Sequence, residues 1–228
     1  MPLTSFTLCC KLAYMPISET SIIQSERIPQ KTVQEYLADK KLHACADFDK
    51  LKSTSYQPAE QSTYHVHSKT FLVKAKLSTV WNTYLSISPR ETWRSEIVSF
   101  GCMYCKNSQE LTYMEDEYDG LREGQVLFLN ISLLWGLVNI AVAHQIIRVD
   151  SVKKEIEFSY IEGGKTEGSQ VLSFSAIDSV TTKIVHKTTY KGTEKSYIRE
   201  QVLYPFLHAK VIAAFHDNVK QKVLEDLQ

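Results

Sequence analysis

The stretch Leu203 to Leu227, LYPFLHAKVIAAFHDNVKQKVLEDL, decides the reading of this chain. Leu203, Leu207, Val211, Ala214, Phe215, Val219, Val223, Leu224 and Leu227 recur at spacings near three and four. That pattern predicts an amphipathic helix whose apolar face is sustained over several turns. Pro205 marks either the start of this helix or a kinked turn before it. From Pro205 to Leu227 the helix is roughly 35 Å long at about 1.5 Å per residue, which matches a strand of about ten residues. A helix of this length can lie across the whole concave face of a bent sheet.

The sequence upstream supplies the sheet. Strands are expected over about 63–75, 96–105, 110–118, 125–133, 137–150, 155–161, 168–177 and 181–190, where β-favouring residues run between turn signals. Asn107-Ser108, Asp119-Gly120, Trp135-Gly136, Gly163-Gly164 and Asp178-Ser179 are compatible with tight reversals, and connections this short require antiparallel neighbours. Ser78 is expected to cap a short helix through Val80, Trp81, Tyr84 and Leu85, with Pro89 ending it or opening another turn. Alternation sets Ile156, Phe158 and Tyr160 against Glu155, Glu157 and Ser159, and Ile184, His186, Thr188 and Tyr190 against Lys183 and Lys187. Leu172 and Phe174 oppose Ser173 and Ser175 in the same way, so each of these strands has one core-facing side. The fold class is therefore α+β: a strongly curved antiparallel sheet wrapped around a long C-terminal helix.

The 228 residues are read as one domain with an added segment. Residues 1–61 form an N-terminal extension, with Val33, Tyr36, Leu37 and Leu42 at roughly helical spacing in a short helix and a polar loop at 52–62 around Pro58. It holds too few apolar residues for a core of its own and is expected to pack on the main domain, residues 62–228. The run Val126 to Ile147 nearly has the length of a membrane span, but Asn130, Gly136, Asn139, His144 and Gln145 interrupt it, so two buried strands are the reading and no stable membrane span is expected. Asn130-Ile-Ser132 matches a glycosylation triplet by chance within that pattern.

Lys plus Arg and Asp plus Glu balance at 26 each, leaving no positive field for phosphates, so nucleic acid is not an expected partner. Cys9, Cys10, Cys45, Cys102 and Cys105 are an odd set without the density of a disulfide scaffold. With no secretory signal at the N-terminus, this places the chain in the reducing cytoplasm. Nothing in the sequence indicates an oligomeric state.

Phe71-Leu-Val-Lys-Ala75 running into Leu77-Ser-Thr-Val-Trp81, and Leu203-Tyr-Pro-Phe-Leu-His208 continuing through Ala213-Ala-Phe-His216, carry a resemblance. Together with the element order over residues 63–228, they resemble the helix-grip fold of the START-type, polyketide cyclase and birch-pollen-allergen (SRPBCC) superfamily. The resemblance implies an apolar small molecule or lipid held between sheet and helix, without a cofactor. A physical argument agrees, since a single helix fills a wide curved sheet less densely than protein interiors require. The competing expectation is that aromatic side chains fill the hollow. Candidate contacts for a guest are Trp135, His144, Phe158, Tyr160, Phe174, His186, Tyr190, Phe206 and Phe215.

No Ser/His/Asp or Cys/His constellation can be established from sequence order alone, because such arrangements are recognised in space. The sulfurs of Cys102-Met-Tyr-Cys105 point to opposite faces of a strand, which suits neither a metal nor a redox pair. His65 and His67 share a face and are read as solvated histidines near a strand start, with no metal assigned. His144 and His186 are expected to point inward. His208 and His216, eight residues apart on a helix, diverge by about 80°, so one of them is expected to be exposed. The turn at Glu162-Gly-Gly-Lys165 reads as a hairpin, and Met114-Glu-Asp-Glu-Tyr118 as a solvated strand edge. Two alternatives stay open: a cyclase or aromatase in which His144, His186 or Tyr190 moves protons, and an interaction module whose N-terminal segment docks a partner.

Overall fold

A computed structural model describes residues 22–193 and 204–227; the expectations for Cys9, Cys10 and Leu203 fall outside them. Eight antiparallel strands form a single sheet: β1 (His65–Val73), β2 (Val98–Cys105), β3 (Glu110–Tyr113), β4 (Gln125–Leu133), β5 (Val138–Asp150), β6 (Glu155–Tyr160), β7 (Thr166–Asp178) and β8 (Thr181–Gly192). Their spatial order is β1-β8-β7-β6-β5-β4-β2-β3. The β2–β3, β4–β5, β6–β7 and β7–β8 hairpins turn at pairs read from the sequence, whereas β5–β6 turns at 151–154 and Asp119-Gly120 lies between β3 and β4, which are not neighbours. The first strand closes onto the last, His65 opposite Tyr190. Register shifts at Gly101, Ile147 and Ile177 place one extra residue in β2, β5 and β7, and such bulges bend a sheet. The expected strand at 110–118 stops at Tyr113 because the Asp116 carboxylate accepts from the Tyr113 N–H and turns the chain.

The helices divide between the two faces. Helix α2 (Leu77–Ser86) begins one residue before Ser78 and has no side-chain cap, while α3 (Pro89–Thr92) starts on a Ser88–Glu91 capping box with Pro89 in its first turn. Helix α4 (Tyr204–Glu225) crosses the concave face, and its Ile212, Phe215, Val219 and Val223 are buried. The concave core joins Val73, Trp81, Tyr84, Phe100, Met103, Leu127, Ile146, Ile156, Leu172, Phe174 and Ile184 to that helix. The inward set read from alternation in β6, β7 and β8 is buried throughout.

A second core lies on the opposite, convex face. Ile28, Val33, Leu37, Leu42, Cys45, Phe48 and Leu51, which include helix α1 (Lys31–Asp39), pack on Cys102, Tyr104, Val126, Phe128 and Ala143. Strand β4 is consequently buried on both faces along residues 125–130, which explains the apolar run from Val126 to Ile147. Among the described residues, no helix is long and apolar enough to cross a membrane. The polar loop at 52–62 does not run free: Thr54 donates to the Tyr160 carbonyl and accepts from the Gly168 N–H. Gly168 sits at φ +123°, and a Cβ there would meet the Thr189 carbonyl oxygen at 2.0 Å, so the chain passes here only as glycine.

Phe48 stacks on Tyr104 with centroids 4.4 Å apart and is fully buried. Phe48→Ala is therefore expected to lower unfolding free energy by about 3–5 kcal/mol in urea titrations. A change within experimental error would show that the segment before β1 contributes nothing to the folding unit.

Candidate functional site

Helix α4 packs the bowl unevenly. Around its second half the space is filled by rings: Trp81 and Tyr84 meet Phe174 edge-on at 5.2 and 4.8 Å, and Trp93 lies on Phe215 at 4.6 Å. Around its first half the helix presents Leu207, Val211 and Ile212 to the aliphatic side chains of β4 and β5, and the two surfaces do not meet. A cavity of about 250 Å³ remains between them. Leu129, Ile131 and Leu133 of β4 and Ile140 and Val142 of β5 form one wall, and Lys165 and Thr166 at the start of β7 border it. Tyr36, Ala141, Ala143 and Ile161 of the convex cluster also line it. His144, Tyr160, Gln170, Tyr190, Tyr204 and His208 add a polar patch to this otherwise apolar lining.

The polar residues form one hydrogen-bonded system centred on Gln170. Its Oε1 lies 2.8 Å from His186 Nε2 and 3.1 Å from His208 Nε2, and its Nε2 lies 3.0 Å from His144 Nε2 and 3.2 Å from Tyr160 Oη. His186 Nδ1 is 2.9 Å from His216 Nε2, whose Nδ1 is 2.5 Å from Tyr84 Oη. His208 Nδ1 is 3.3 Å from His67 Nδ1, and Tyr160 Oη bonds Tyr204 Oη. An amide oxygen only accepts and an amide nitrogen only donates, so with the amide placed this way round Gln170 sets the direction along the imidazole chain. His186 and His208 each donate from Nε2 and accept at Nδ1. His216 donates from Nε2 to His186 and accepts from the Tyr84 hydroxyl.

The scheme requires neutral imidazoles, each one donor and one acceptor, and burial enforces that. Desolvation pulls His144 down to about 4 and His216 down to about 3 from an ordinary 6.5. His186 and His208 are driven well below 6.5, first by burial and then by neighbouring imidazoles. Burial likewise raises the Tyr160 and Tyr204 hydroxyls, so both keep their protons.

Of the residues singled out from the sequence, His144, Tyr160 and Tyr190 line the cavity. His186 lies behind Gln170 in the network, outside the lining. Phe158, Phe174 and Phe215 belong to the concave core. Trp135 stands 98% exposed at the β4–β5 turn, where Leu134, Trp135 and Gly136 all have positive φ, and Phe206 faces solvent on α4. The expectation that His65 and His67 are solvated is corrected: both alternate with the exposed Val66 and Ser68 and point inward, and His67 meets His208. The expected exposure of His208 or His216 is corrected as well. The two diverge around α4, but the sheet curves around the helix, so His186 reaches His216 while Gln170 and His67 reach His208. Gln170 escaped notice, although its phase with Leu172 and Phe174 on β7 marks it as inward; Tyr204 and Leu207 required the placement of the helix. Among the described residues, no cluster of His, Cys, Asp and Glu has the arrangement of a metal site.

Two consequences are measurable. These histidines are neutral in the fold and protonate near 6.5 in the unfolded chain, so their stabilisation is complete above that pH. It is lost as pH falls, down to about 4 for His144 and about 3 for His216. Urea unfolding midpoints should therefore drop below about pH 6.5, by about 1.4 kcal/mol per pH unit for each histidine in its window; a flat profile down to about pH 5 contradicts neutral burial. Gln170→Leu removes the acceptor for two buried imidazole N–H groups and should cost about 3 kcal/mol in the same assay at neutral pH.

No protein-family model matches the sequence, and no curated protein matches it. Solved structures do match the fold. Norcoclaurine synthase from Thalictrum flavum, solved in complex with dopamine and hydroxybenzaldehyde, aligns with a TM-score of 0.53 at 15% identity over 77% of this chain and 96% of that one. Major latex-like protein 151 from Panax ginseng aligns with a TM-score of 0.50 at 12% identity over 71% of this chain and 99% of that one. At such identities the likeness is one of fold: this chain has the α+β helix-grip fold that these structures share.

Proposed function

We propose that this protein binds a hydrophobic small molecule or lipid in the cavity between the sheet and the first half of α4. The observation that carries the reading is the hollow of about 250 Å³ walled by Leu, Ile and Val side chains beside a half-bowl that aromatic rings fill to within about 20 Å³. The same interior shows that close packing was available to this sequence, and an unfilled apolar space lacks dispersion contacts that a guest would restore. The complex of norcoclaurine synthase with dopamine and hydroxybenzaldehyde is in keeping with a fold that accommodates small organic molecules.

The cyclase-type alternative has weaker support. Of its three proposed proton carriers, His186 has both ring nitrogens engaged by Gln170 and His216 and does not line the cavity.

The test fills the hollow. Val142→Trp should weaken binding of the apolar fluorophore N-phenyl-1-naphthylamine by at least about tenfold, or about 1.4 kcal/mol, while leaving the thermal midpoint unchanged or higher. Equal binding by the wild type and the filled variant would place the fluorophore elsewhere and remove the support for this cavity as the binding site. Native mass spectrometry of protein purified from its own cells should then reveal the co-purifying apolar compound.

A further inference from the structure

Proton counting at the polar end of the cavity defines which guest it accepts. Gln170 is saturated: both lone pairs of Oε1 are taken by His186 and His208, and both N–H groups by His144 and Tyr160. His208 is saturated as well, donating to Gln170 and accepting from His67. Tyr160 accepts from Gln170 and shares one hydrogen bond with Tyr204, in which either hydroxyl can donate. His144 accepts from Gln170 at Nε2, so its neutral ring carries the proton on Nδ1. That Nδ1 is buried and has no partner, although His144 forms part of the cavity wall. Two hydroxyls with one bond between them leave a single O–H over from the Tyr160–Tyr204 pair. At the cavity wall the unspent donors are therefore the His144 Nδ1–H, which stays covered until the ring yields to a guest, and one O–H of the Tyr160–Tyr204 pair.

We infer that the cavity selects apolar molecules carrying a neutral hydrogen-bond acceptor, such as a ketone, ester or lactone carbonyl, and disfavours pure hydrocarbons and molecules whose polar group only donates. The inference rests on the cavity being a ligand site and adds the chemistry of its guest. A buried donor without a partner costs more than a made hydrogen bond returns, so a guest acceptor gains from relieving it. Gln170 is the determinant: turning its amide over reverses every bond in the chain and converts His144 Nδ1 from a donor into an acceptor.

Two measurements test this. Long-range proton–nitrogen-15 spectra of the wild-type protein should show His144 protonated on Nδ1 and His186, His208 and His216 on Nε2; the opposite pattern overturns the assignment without a ligand being needed. Affinities are then measured for 2-acetylnaphthalene and its isosteric hydrocarbon 2-isopropenylnaphthalene, in the wild type, His144→Phe and Tyr204→Phe. Dividing the wild-type ratio by the variant ratio cancels the hydration difference between the probes. The expected result is a ketone preference reduced by about fivefold to tenfold in at least one variant. Tyr204→Phe, which removes only a hydroxyl, keeps the comparison available if His144→Phe does not fold. Both probes binding with ratios unchanged in the variants overturns the donor inference and leaves the ligand site standing. Binding of neither probe overturns the ligand site and this inference together.

Discussion

The structure depends on one packing constraint: a single helix must close a concave sheet that curves around it. A helix is about 10 Å across, and 22 residues give α4 a length of about 33 Å. It spans the bowl but is too narrow to touch all of it. In the half where the helix carries Phe215, Val219 and Val223, rings from α2, α3 and β7 bridge the gap. In the other half the helix carries Leu207 and Val211 and the facing strands carry Ile, Leu and Val, so the gap stays open. The position of the hollow follows from where along the chain the large side chains fall.

The convex core makes this arrangement affordable in stability. The segment from Ile23 to Leu51 covers the outer face of β2, β4 and β5, of which β4 and β5 also wall the cavity. Because those strands are held from outside, their inner side chains need not be fixed by contacts across the hollow. The bulge at Gly101 serves both layers: a Cβ there would press against Val33 at 3.0 Å, and the extra residue turns Phe100 and Met103 to the concave side while Cys102 and Tyr104 face the extension.

The polar centre follows the same logic of completeness. Four imidazoles in an apolar interior are tolerable only if neutral and paired, and one glutamine with two donors and two acceptors joins them into a directed network. It links β1, β5, β7, β8, α2 and α4, so it fixes the first half of the helix against the sheet where apolar contacts are missing.

Much of the scaffold was legible in the sequence. Period-two alternation placed Ile156, Phe158, Leu172, Ile184 and His186 inward, turn residues placed the hairpins, and spacings of three and four marked the apolar face of α4, because each of these signals is local. The expected N-terminal helix likewise appears, with Val33 and Leu37 buried. Less of the site was legible. Whether aromatics fill a bowl depends on distances between elements far apart in the chain, which is why Phe174 and Phe215 lie in a packed core while Leu207 and Ile140 face a void. His208 and His216 were misjudged because a helical wheel gives directions around an axis but not the curvature of the surface surrounding it, and His65 and His67 because alternation shows which strand residues share a face but not which face the helix covers. The sequence by itself determined the strands, their faces and the closing helix, since these follow from side-chain periodicity. Tertiary structure alone decided the hollow, the saturation of Gln170 and the leftover donors, since these depend on three-dimensional fit between residues dozens of positions apart.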